Sequence, residues 1–169
     1  MTAVPVRFAL LVITAVVLQR GVASQIRIAD AVVDLLLVLA VAAGIAGGAE
    51  RGATVGFFAG LAMDLMLPSP MGLGALSYLV AGAVAGLLRS GEVRSARWRT
   101  MVTAALGCAV GVVTFAIGGA ILGRSDFLGW HLLGVVLIVS LGGALLGPLA
   151  VRLCHWADGD SDRLRPALR

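Results

Sequence analysis

The sequence has few charged residues. Only 13% of its 169 residues are charged, whereas 60% are hydrophobic and the mean hydropathy is +1.03. A soluble domain carries about 25% charged and roughly 45–50% apolar residues. The composition therefore excludes an ordinary soluble domain and indicates a polytopic membrane protein. One domain is expected, because no polar stretch before the C-terminal tail is long enough to fold separately.

Residues that carry chemistry are also scarce. The two cysteines, Cys108 and Cys154, lack the spacing of a disulfide framework or a metal site. The motifs GxxxxGK[ST], HExxH and GxSxG are missing. Four polar residues are expected to converge near the outer leaflet: Asp34, Asp64, Ser77 and Tyr78. None has an obvious base or nucleophile partner, so we expect no enzyme, no metal and no cofactor.

What the chain does contain is a series of apolar runs. They predict six transmembrane helices, at about residues 5–18, 29–45, 53–67, 72–88, 101–122 and 131–151. Residues 47–52 are predicted to form a tight turn and residues 89–100 a basic loop, and residues 153–169 are predicted to form a polar cytoplasmic tail. The first run also suits a signal peptide, but Gln19 and Arg20 interrupt its approach to a weak cleavage site, so a retained anchor is favoured.

Arginine placement predicts the orientation. All thirteen basic residues are arginine. With six spans and residues 89–100 inside, ten arginines lie in the cytoplasm and three lie outside. The positive-inside rule then places both termini in the cytoplasm. Three tryptophans fall at predicted span ends, as interfacial tryptophans do: Trp98, Trp130 and Trp156.

The third span carries small residues and an acid on one helical face. The residues, spaced four apart, are Gly52, Gly56, Gly60 and Asp64. Such a face lets another helix approach closely. Packing within the chain is favoured over the alternative, a docking face for a partner helix. We expect the hairpin of spans three and four to be the centre of the protein.

The acid of this face, Asp64, needs compensation. A charge within the membrane costs at least ~2.5 kcal/mol. One compensation is the N-terminus of span four near Gly72, just past the corner imposed by Pro68 and Pro70, where backbone N–H groups are open. Two arginines from the outer side offer the alternative: Arg20 and Arg27. A second acid, Asp34, is predicted in the first turn of span two, where the helix dipole favours it.

The central stretch resembles MreD, the rod-shape-determining membrane protein family of bacteria. The likeness is a Gly-x-x-x-Gly-Leu-x-x-Asp pattern, a short corner and a further span, at Gly56, Gly60, Leu61, Asp64, Gly72, Leu73, Leu76 and Tyr78. Asp34 with the three following leucines resembles the acidic start of the family's second span, although Val33 stands where proline is common. The alanine-, glycine- and arginine-rich usage resembles that of a high-GC actinobacterium.

This resemblance implies a non-enzymatic function. MreD-like proteins act as membrane scaffolds of the cell-elongation complex that synthesises sidewall peptidoglycan. The implied partners are an MreC-like bitopic protein, the glycosyltransferase RodA and a penicillin-binding protein, together with membrane lipids. The implied fold is similar to the substrate-binding subunits of energy-coupling-factor vitamin transporters, and by that analogy a small-residue face receives a partner helix.

The similarity of fold leaves a second function open, that of a vitamin-binding subunit. Such binders dock on their transporter through Ala-x-x-x-Ala near the first span, but here Ala9 is followed four residues on by Ile13, and Ala15 by Gln19. They also line the pocket with aromatic residues, and this chain has one tyrosine and five phenylalanines. The scaffold hypothesis is therefore preferred to the binder, and a lipid-modifying enzyme ranks last.

Overall fold

The computed structural model describes residues 3–21, 34–65, 72–88, 97–123 and 131–158. Their regular structure is entirely helical, without a strand, which confirms the all-α class. The helices are α1 (Ala3–Gly21), α2 (Leu35–Gly47), α3 (Ala49–Asp64), α4 (Leu73–Leu87), α5 (Arg97–Ile121) and α6 (His131–Asp158). The predicted corner prolines, Pro68 and Pro70, lie outside the described residues.

Several helices begin or end away from the predicted span boundaries. α3 already begins at Ala49, so the turn predicted over residues 47–52 is reduced to Gly48, whose φ of +91° reverses the chain. α5 begins at Arg97, four residues before the predicted span, because arginine, tryptophan and threonine at residues 97–100 are all compatible with a helix. α6 continues to Asp158, so the start of the predicted tail is helical. Cys154 and Ala157 in that extension are fully buried, and this packing explains the extra turns.

The second predicted span also begins later than expected. α2 starts at Leu35, with Asp34 in extended backbone as its N-cap instead of within the first turn. Residues 36–46 of this helix are all buried. The most enclosed element is therefore α2 and not the α3–α4 hairpin, which packs beside it. α3 ends at Asp64, three residues before the predicted end of span three.

Helices that follow one another in the chain run in opposite directions. On α5, Gly107 faces Ala85 of α4, and further along α5 Gly118 faces Leu73, nearer the start of α4. The α6 glycine Gly143 faces Cys108 of α5 in the same antiparallel sense. The starts of α1, α3 and α5 consequently share one end of the bundle with the ends of α2, α4 and α6.

Side-chain contacts support this arrangement and separate the charges. Arg51 near the start of α3 lies over the ring of Phe8 near the start of α1, and Arg7 lies over Trp156 near the end of α6. We call this the basic end, defined by Arg7, Arg51, Arg97, Arg99 and Arg152. The opposite end contains the half-buried Asp34 and the buried Asp64, and is called the acidic end.

Large apolar side chains lie on both sides of the helices. Much of the interior consists of alanine and glycine beside the leucines and valines of α2, and other large apolar side chains are exposed on the outside. Six leucines at four-residue spacing are exposed along α6: Leu133, Leu137, Leu141, Leu145, Leu149 and Leu153. Within the described residues two helices are long and apolar enough to cross a membrane, Arg97–Ile121 and Leu132–Ala157, and three further apolar helices are shorter.

Candidate functional site

The glycine face of α3 lies against α4 of the same chain. Each of its three glycines faces a backbone carbonyl of α4: the pairs are Gly52 with Gly82, Gly56 with Tyr78, and Gly60 with Gly74. A Cβ atom at any of these α3 positions would overlap the opposing carbonyl. Gly52 also lies against Gly44 of α2, where an added Cβ would come within 2.6 Å of the Gly44 Cα. This face is therefore occupied within the chain and is not accessible to another helix.

Asp64, at the end of this face, caps α4. Its Oδ1 atom accepts the backbone N–H of Gly74 at 2.9 Å, and its Oδ2 atom accepts those of Gly72 at 2.9 Å and Ala75 at 3.1 Å. The N-cap of α4 is Gly72, with a φ of +99° and no side-chain cap of its own. Asp64 supplies the missing acceptors from the neighbouring helix, so the first of its two expected compensations is confirmed.

Asp34 performs the same task for α2. Its Oδ1 atom accepts the backbone N–H groups of Leu36 at 3.1 Å and Leu37 at 3.2 Å. Its Oδ2 atom accepts the hydroxyl of Tyr78, which comes from α4. The carboxylate therefore satisfies the first turn of α2 and ties that turn to α4.

A glutamine from α1 completes the start of α2. The Oε1 atom of Gln19 accepts the backbone N–H of Leu35 at 2.9 Å, and Gln19 is buried. Sequence reasoning treated Gln19 only as an interruption of the first apolar run. A lone amide near the end of an apolar run was the available signal, because such a group needs a partner when it leaves water.

Three of the four polar residues expected to converge do so. Asp34, Asp64 and Tyr78 line one cavity of about 240 Å³ at the acidic end. Ser77 is not in its wall, because its hydroxyl is fully buried and donates to the carbonyl of Leu73 at 2.7 Å. The rest of the wall is largely apolar and includes residues of α5 and α6 that sequence reasoning did not select: Gly111, Val112, Phe115, Val135 and Val139.

The geometry of this site favours holding helices over reacting with a substrate. Both oxygens of Asp64 and both oxygens of Asp34 accept hydrogen bonds, so the carboxylates are already satisfied. The donors are mainly backbone N–H groups at the open starts of two helices, so each carboxyl group acts as a helix cap. Across the described part of the chain, no group of three or more His, Cys, Asp or Glu residues is placed to hold a metal ion.

Comparisons of the chain with protein-family models, with curated proteins and with solved structures give no match.

Proposed function

We propose that this chain is a six-span scaffold of the bacterial cell-elongation machinery, similar in role to MreD, which binds an MreC-like bitopic partner in the cytoplasmic membrane. The main support for the proposal is that the residues of the MreD-like pattern form one structural unit. Gly56 and Gly60 admit α4 and Asp64 caps its start at Gly72, so the motif builds a rigid helix pair.

The exposed surface supports membrane insertion. Phe58, Ile117 and Leu145 are 59%, 51% and 75% exposed, although such side chains are buried in water-soluble proteins. A contiguous apolar exterior around a core of small residues is typical of helices packed in lipid, where the hydrophobic effect does not select large residues for the interior.

Three of the helices are short for a membrane span. α2 has 13 residues, α4 has 15 and α3 has 16, which correspond to about 20, 23 and 24 Å, whereas the hydrocarbon core is about 30 Å thick. α2 is buried by its neighbours and half of α4 is buried, so neither has to match the lipid thickness over its whole surface. The longer α5 and α6 present their apolar faces to lipid.

Charge segregation supports a cytoplasmic location of both termini. The basic end contains the starts of α1 and α5 and the end of α6, whereas the acidic end has the two capped helix starts. Arginines concentrate on the cytoplasmic side of membrane proteins. Trp98 and Trp156 are also exposed at the basic end, as expected for side chains at a membrane surface.

A second candidate is a substrate-binding membrane subunit of an energy-coupling-factor transporter. The cavity lined by Asp34, Asp64 and Tyr78 favours it, because a concave, mostly apolar space with a few polar groups suits a small ligand. The cavity volume of about 240 Å³ lies just below the roughly 300–1,000 Å³ of ordinary ligand sites. Its polar groups are engaged in helix caps, and this is why the scaffold is preferred.

Affinity purification from native membranes in mild detergent distinguishes between the two candidate functions. Recovery of a bitopic protein together with wall-synthesis enzymes is the expected result. Recovery of paired ATPases with a large transmembrane coupling subunit would instead identify a solute-binding component. An Asp64→Ala variant serves as a matched control, because loss of the α4 cap should reduce recovery of specific partners but not of detergent-borne contaminants.

A further inference from the structure

We draw no further inference here: the strongest candidate, the cavity at the acidic end lined by Asp34, Asp64 and Tyr78, belongs to the site already described, and its polar groups are engaged in the two helix caps and in the hydrogen bond from Tyr78 to Asp34, so no described residue of its wall selects a ligand.

Discussion

The Asp64 carboxylate occupies the space that a side chain at Gly74 would need. The Oδ1 atom of Asp64 accepts the Gly74 N–H at 2.9 Å, and a Cβ added at Gly74 would overlap that same oxygen. The acid that ends α3 and the glycine in the first turn of α4 are thus matched to one another. Because the carboxylate caps the first N–H groups of α4, the cost of its charge is offset. This explains why an acid stands in an apolar segment.

Replacing Asp64 should destabilise the protein without removing a reactive group. Asp64→Ala leaves three backbone N–H groups without their acceptor and should lower the free energy of unfolding by about 2–4 kcal/mol. Asp64→Asn retains one acceptor oxygen and should lose roughly half as much. Unfolding in mixed micelles with increasing dodecyl sulfate measures both values. The exposed acid Glu50 provides the control, since Glu50→Ala should change stability by less than about 0.5 kcal/mol.

Replacing glycine by a larger residue should destabilise the protein at Gly52 but not at every glycine. A methyl group at Gly52 overlaps the Gly82 carbonyl, so Gly52→Ala should cost about 1–3 kcal/mol of stability. Gly134 of α6 has no atom within 4 Å of an added Cβ, so Gly134→Ala should be neutral or slightly stabilising. Thermal unfolding in detergent compares the two. Equal stability of both variants would show that α3 and α4 are not in close contact.

The hydrogen bond between Tyr78 and Asp34 should be measurable by a double-mutant cycle. Tyr78→Phe removes only the hydroxyl and should cost about 0.5–1.5 kcal/mol. Asp34→Ser retains a good N-cap for α2 but removes the oxygen that accepts the hydroxyl. In that background Tyr78→Phe should have almost no further effect on stability. Additive losses in the double variant would contradict the contact.

Labelling of single cysteines should reveal which end of the helix bundle faces the cytoplasm. In a variant lacking Cys108 and Cys154, a cysteine replacing Gly21 at the end of α1 should react with a membrane-impermeant maleimide applied to intact cells. Gly21 is exposed, and an added Cβ there meets no neighbour. A cysteine replacing Arg99 at the basic end should react only after permeabilisation. The reverse pattern would place both termini outside the cytoplasm.

Local patterns predicted much of the site. The four-residue spacing from Gly52 to Asp64 marked the packed face of α3, and the open start of α4 was anticipated as the partner of Asp64. The contribution of Gln19 was missed, because its Oε1 atom accepts the backbone N–H of Leu35, which follows sixteen residues later in the chain. Residues of α5 and α6 in the cavity wall were missed for the same reason, since apolar side chains such as Val135 carry no mark of which neighbour they face.

By itself, the sequence determined the helical class, the order of the six helices and the apolar character of their exposed faces, because these follow from composition and from hydrogen bonds made within each helix. Only the tertiary structure decided which helix is enclosed, where α6 ends and which groups satisfy each acid. Asp34 and Tyr78 are 44 residues apart, and no local preference selects that pair. The choice is made by the packing of α2 against α4, which brings one hydroxyl to one carboxylate.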